Sequence, residues 1–212
     1  MKDENKIREE ICLTGASLYN RGYIVGSSGN ISACLDDGWL ITPTDACLGT
    51  LDPNDIAKVS LAGEWISGNK PSKTLLLHRG IYKQNPAASS VLHTHSTSLV
   101  LLTLLGVWAP DAILPPITPY QVMKVGRIPL IEYQRPGAPE VAEIVAGLAD
   151  KVKGVMLERL GPVVWGNSVS QASYILEELE ETAKLWIETG RKAELLSQQA
   201  INDLETTFKC QW

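Results

Sequence analysis

The chain has 212 residues, a formal net charge of -5 at pH 7 and 44% hydrophobic residues. That length supports one sizeable core, and the acidic balance gives no electrostatic reason to expect nucleic acid or an anionic membrane as a partner. The charged start Met1-Lys2-Asp3-Glu4-Asn5-Lys6 lacks the apolar centre of a signal peptide, and no apolar run reaches the roughly 18 residues of a membrane span.

Residues 4 to 22 predict a helix, with Ile7, Ile11, Ala16, Leu18 and Tyr19 on an apolar stripe and Gly22 as its stop. After the polar turn Gly26-Ser27-Ser28-Gly29-Asn30, two strands flank the hairpin signal Asp36-Asp37-Gly38. A second hairpin turns at Ala62-Gly63. Pro71 to Gln84 predicts a helix, Val91 to Ser96 a strand, and Ser96 to Gly106 another helix. Strands are expected at 122–126, 128–133, 154–157 and 162–165, and helices at 138–151 and 170–190. The pattern predicts one α/β domain of the three-layer α+β type over residues 1–212: a central, mostly antiparallel sheet flanked by helices. Residues 191–212 form a C-terminal tail, either helical or a mobile arm. Cys12, Cys34, Cys47 and Cys210 are scattered without a CxxC pair, as expected for reduced thiols in the cytoplasm.

The most informative stretch is His93-Thr94-His95, two of only three histidines. On a strand, residues i and i+2 face the same way, so both imidazoles converge on one volume. Neutral imidazole is a ligand for Zn²⁺ and its neighbours, although a site normally takes three protein ligands. Taken alone, the pair also fits two half-exposed strand histidines. Three turns add a second theme. Gly26 to Asn30, Thr42-Pro43-Thr44-Asp45 and Pro71-Ser72-Lys73 each present small polar donors at an element edge. The last opens a helix, whose free N–H groups and dipole favour an anion, and Lys73 adds a charge. Any one of these is also an ordinary turn, and the first is neither a Rossmann nor a P-loop pattern.

In this order the motifs resemble the class II aldolase/adducin superfamily, whose members include a zinc-dependent fuculose-1-phosphate aldolase. The resemblance continues through Thr118-Pro119-Tyr120, Val125 to Leu130, Leu160-Gly161-Pro162-Val163-Val164 and Glu177 to Lys184, and spans about residues 7 to 190. Gly49 to Pro53, Thr118 to Tyr120 and the Glu-rich helix look most like the 3-oxo-tetronate 4-phosphate decarboxylase branch. The resemblance implies that Gly29, Asn30, Thr44 and Ser72, with Lys73, hold a substrate phosphate. It implies that His93 and His95 bind a divalent metal, most often Zn²⁺, and that Tyr120 lines the site. It also implies a sugar-acid phosphate as substrate and a homotetramer with sites between subunits.

Three positions depart from the family pattern. Thr74 stands where the aldolases carry their acid/base glutamate and cannot ionise in its place. Leu160 stands where the third zinc histidine precedes a glycine. Asp45 replaces a glycine beside the phosphate turn, where it repels an anion unless turned outward or neutralised, for example by Lys73. Glu158, two residues before Leu160, faces the same way if that segment is extended, and is the first candidate for the third ligand. His78, one helical turn beyond Thr74, is a weaker candidate, or a helix histidine packed near the site.

Retro-aldol cleavage must remove a hydroxyl proton, so it profits from a positioned base. A β-keto acid loses CO₂ without that step and needs an electron sink, which a metal on the keto and hydroxyl oxygens provides by stabilising an enediolate. Losing the glutamate at Thr74 therefore harms an aldolase more than a decarboxylase, and Tyr120 or water is left to protonate carbon. The expected activity is decarboxylation of a 3-oxo-tetronate 4-phosphate. The alternatives are a sugar-phosphate aldolase and a non-catalytic, adducin-like assembly domain.

Overall fold

The computed structural model describes residues 3–212; Met1 and Lys2 of the charged start lie outside them. Helix α1 covers Glu4–Asn20, capped by the Asp3 carboxylate, which accepts from the Lys6 amide. Strands β1 (Asn30–Cys34), β2 (Gly38–Ile41), β3 (Ala57–Ser60) and β4 (Trp65–Ser67) form the two expected hairpins. Helix α2 is Leu75–Gln84, β5 is Ser90–His93 and α3 is Thr97–Leu105. Then come β6 (Leu130–Ile131), α4 (Pro139–Ala146), β7 (Gly154–Leu157), β8 (Gly161–Gly166), α5 (Val169–Glu188) and α6 (Gln198–Phe208).

The eight strands form one sheet in the order β4-β3-β2-β1-β5-β8-β7-β6, antiparallel everywhere except β6 against β7. Alternation along the strands sends side chains to two separate cores. Ile31, Leu92 and Val164 pack with α1, α3 and α5 on one face. Val91, Val163 and Trp165 pack with Ile81 and Tyr82 of α2 and Val145 of α4 on the other. This is the expected three-layer arrangement, and it leaves β1, β5 and β8 buried in the middle of the sheet.

Three expected elements differ, and the tail takes one of its two expected forms. The helix predicted from Pro71 begins only at Leu75, because Pro71 bridges to Pro43 and Ser72 N donates to Thr42 O at 3.2 Å. Strand β5 ends at His93, although the Thr94 amide still reaches Pro162 O at 3.3 Å. Where a strand is expected over 122–126, residues Gln121–Val125 form a wide helical turn closed by Gly126 N to Gln121 O at 2.8 Å; such i to i+5 turns occur as single bulges. The tail is a docked helix: Ile201 is buried and Leu196 N donates to Pro116 O at 2.9 Å. Among the described residues no helix is long and apolar enough to cross a membrane.

Candidate active site

The three turns meet at one end of β1, β2 and β5. Asn30 pairs in register with His93, the Thr42 hydroxyl accepts from Ile31 N at 3.1 Å, and the Thr42 carbonyl accepts from Ser72 N. Thr44 N donates to Lys70 O at 2.9 Å, which ties the second turn to the third. Gly29, at φ 81°, brings its backbone against the His93 carbonyl; a Cβ there would lie 2.7 Å from that oxygen. Only glycine takes that left-handed conformation at this distance without cost. Asn30 is buried, and its Oδ1 has no hydrogen-bond partner, which leaves one acceptor unmatched at the site.

His93 and His95 do come together, with ring centroids 5.1 Å apart at 62°. His93 Nδ1 donates to Pro162 O at 2.9 Å, which fixes the tautomer and leaves Nε2 as the free lone pair. A backbone acceptor behind the ring is the usual support of a metal-binding imidazole. Burial, and then the neighbouring His95, push the His93 pKa down to about 4, and burial also lowers that of His95. Both rings are therefore held neutral, the form that binds metal.

Within this chain Glu158 is not grouped with the histidine pair. Arg159 takes φ 63° and Leu160 N donates to Leu157 O, so residues 158–160 form a turn and not an extended run. The i, i+2 relation between Glu158 and Leu160 is lost. The Glu158 carboxylate instead accepts from Tyr133 N at 2.8 Å and faces Arg159 Nε at 3.8 Å. Among the described residues no group of three or more His, Cys, Asp or Glu is placed to hold a metal. His78 is also engaged, with Nδ1 2.7 Å from Ser32 Oγ and Nε2 3.5 Å from Thr74 Oγ1. Within one chain the two imidazoles fit a divalent ion as a partial ligand set.

Thr74 is the N-terminal cap position of α2, with its hydroxyl 3.0 Å from Ser72 Oγ. Lys73 and Asp45 are both exposed, and Asp45 adopts φ 57°. A cavity of about 470 Å³ opens beside the second turn, lined by Thr44, Asp45, Cys47, Asp55 and Lys70 among others, but by neither His93 nor His95. Among the described residues Tyr120 shares no hydrogen bond with the histidine pair, and it is 58% exposed. Sequence reasoning missed Ser32, which hydrogen-bonds to His78, and Tyr82, which hydrogen-bonds to Ser32. The signal was present: Thr74, His78 and Tyr82 are spaced i, i+4, i+8 on one helix face.

The buried histidines predict a pH dependence of folding. Burial, and then His93, push His78 from 6.5 down to about 3. A buried neutral base binds fewer protons folded than unfolded, so its stabilisation is fully present above the unfolded value near 6.5. It is lost as pH falls from there toward 4 and 3. Thermal midpoints in chelator should be flat from pH 7 to 8 and drop steadily from pH 6 to 4. A midpoint unchanged down to pH 4 would contradict neutral burial of these rings.

The sheet order, the turns and the histidine pair mark the class of protein. A family model described as Class II Aldolase and Adducin N-terminal domain matches residues 9–187, and the chain belongs to this family. A relative from Cupriavidus necator, named 3-oxo-tetronate 4-phosphate decarboxylase, is 63% identical, with 100% of both chains covered. An L-fuculose phosphate aldolase from Methanococcus vannielii is 37% identical over 79% of this chain and 88% of its own. The crystal structure of YgbL from Escherichia coli matches with a TM-score of 0.92 and 43% identity, covering 96% of this chain and 99% of that one.

Proposed function

We propose that the protein is a metal-dependent carboxy-lyase that converts a 3-oxo-tetronate 4-phosphate to dihydroxyacetone phosphate and CO₂. The observation that carries this reading is the meeting of the His93–His95 pair with three donor-rich turns, at a site whose acid/base position is the non-ionisable Thr74. The full-length likeness to a relative of that name supports the choice of substrate.

In this reading Gly29, Asn30, Thr44 and Ser72 donate to the phosphate, with Lys73 adding positive charge at the start of α2. His93 and His95 hold the divalent ion, most often zinc in such N-donor sites, and the remaining positions fall to water or a neighbouring subunit. When bound, that ion supplies positive charge to oxygens that become negative as CO₂ leaves. The C1–C2 bond breaks, its electron pair moves toward the C3 carbonyl, and C2 then takes one proton. No base is needed, which agrees with threonine at position 74. Tyr120 or water delivers the proton at C2.

The protein acts in the cytoplasm as a homotetramer with sites between subunits. Leu101, Leu104, Leu105 and Trp108 support an assembled state, since they leave an apolar surface exposed in the single chain. Product analysis tests the activity. Metal-loaded protein given 3-oxo-tetronate 4-phosphate should form dihydroxyacetone phosphate and CO₂ in equal amounts. Cleavage of a sugar phosphate to a free aldehyde, with no CO₂ from the keto acid, would favour an aldolase. Absence of turnover and of bound metal would favour an assembly domain.

A further inference from the structure

A buried chain of hydrogen bonds runs from the core to the third turn. The Tyr82 hydroxyl is 2.6 Å from Ser32 Oγ, and Ser32 Oγ is 2.7 Å from His78 Nδ1. Across the ring, Nε2 faces Thr74 Oγ1 at 3.5 Å, and Thr74 Oγ1 is 3.0 Å from Ser72 Oγ. Ser32 and His78 are fully buried, and Ser72 and Tyr82 nearly so. Hydroxyls and a neutral imidazole each give one proton and accept at least one, so the chain has two possible polarities.

The two polarities have opposite consequences at the surface end. If Nδ1 accepts from Ser32, Nε2–H donates to Thr74 and the Thr74 hydroxyl donates to Ser72 Oγ. The Thr74 amide also points at that oxygen, at 3.4 Å. The Ser72 proton must then point out of the chain. In the reverse polarity Ser72 donates inward and turns only lone pairs outward, which repels an anion. The core end favours the first arrangement. Phenols are stronger hydrogen-bond donors than aliphatic hydroxyls, and burial keeps the Tyr82 phenol protonated, so Tyr82 gives its proton to Ser32.

We propose that His78 is a positioning residue: held by Tyr82 and Ser32 as the Nε2–H tautomer, it fixes the Ser72 hydroxyl, through Thr74, as a donor to the substrate phosphate. This rests on the reading of the third turn as a phosphate site. It also gives threonine at position 74 a purpose. Threonine accepts from the imidazole and passes a proton to Ser72, whereas an ionised carboxylate accepts only and would break the relay.

Two measurements on the full-length, metal-loaded protein test this. With only three histidines, long-range ¹H–¹⁵N spectra of ¹⁵N-histidine-labelled protein can be assigned by single substitutions. His78 should be protonated at Nε2, opposite to His93, which carries its proton on Nδ1. Protonation of His78 at Nδ1 overturns the proposal. The second measurement is the affinity for inorganic phosphate and for dihydroxyacetone phosphate, with unphosphorylated dihydroxyacetone as control.

His78→Leu should weaken both phosphate ligands by roughly tenfold, the scale of one hydrogen bond to a charged group. His78→Gln, which keeps a donor near the Nε2 position, should restore most of that loss. In a Ser72→Ala background the His78→Leu loss should disappear, because both changes act on the same contact. In turnover, KM should rise more than kcat falls. Equal phosphate affinity in wild type and His78→Leu overturns the relay while leaving the phosphate turn standing. If the wild type binds neither phosphate ligand, the phosphate reading of the turn fails, and the relay with it. If His78→Leu does not fold, the wild-type tautomer and the His78→Gln affinity still decide.

Discussion

His93→Ala is expected to remove the bound metal and to lower decarboxylation by roughly 10³-fold or more, since a metal's charge stabilisation amounts to several kcal/mol. The chain offers two imidazoles and, among the described residues, no third side chain grouped with them. Losing one leaves a single ligand from this chain, too few for a stable site. His93 is also the better supported of the two, because Pro162 O holds its ring in place. His95 is less buried and should show a smaller, but still large, loss on substitution. Metal content by mass spectrometry, measured beside turnover, checks this. Full metal occupancy and near-normal rates in His93→Ala would place the metal elsewhere.

The largest stability effect should come from Gly161→Ala. Gly161 opens β8 at φ 146°, and a Cβ there would drive into the Thr94 carbonyl and against the His95 backbone. The obstacle is backbone and cannot rotate away. Strain plus overpacking should cost about 3 kcal/mol or more. Relief can come only by moving Thr94 and His95 off β8, so the same variant should also lose metal affinity. Chemical denaturation reports the first loss and metal titration the second. A variant as stable as wild type, with metal intact, would mean that the β5–β8 contact is looser than the geometry implies.

Much of the fold was legible because β2, β5, β7 and β8 are short apolar runs, buried on both faces, and the turns between strands carry glycine, proline or aspartate. The Gln121–Val125 turn was not legible: valines at 122 and 125 suggest a strand, and only the tertiary setting selects a wide helical turn. The start of α2 was misplaced for a similar reason. Pro71 and Ser72 carry helix-start chemistry, but their backbones are bound to Pro43 and Thr42.

The convergence of the two histidines was legible from spacing, though by a partly mistaken route. Strand β5 stops at His93, and His95 keeps its place because Thr94 remains tied to β8. Glu158 could not be judged from sequence, since the face it presents depends on Arg159 adopting φ 63°. The relay through Ser32 was hidden because Ser32 lies 46 residues from His78 in the chain, on a central strand behind α2. Its other members were readable from the helical spacing of Thr74, His78 and Tyr82.

The most direct measurement is release of labelled CO₂ from 3-oxo-tetronate 4-phosphate carrying the label in its carboxylate. It is made on protein as isolated, after chelation, and after reloading with zinc. Release is expected from the first sample, loss in the second, and recovery in the third but not in reloaded His93→Ala. Labelled CO₂ at an undiminished rate from fully chelated protein, or none from any sample, would contradict metal-dependent decarboxylation.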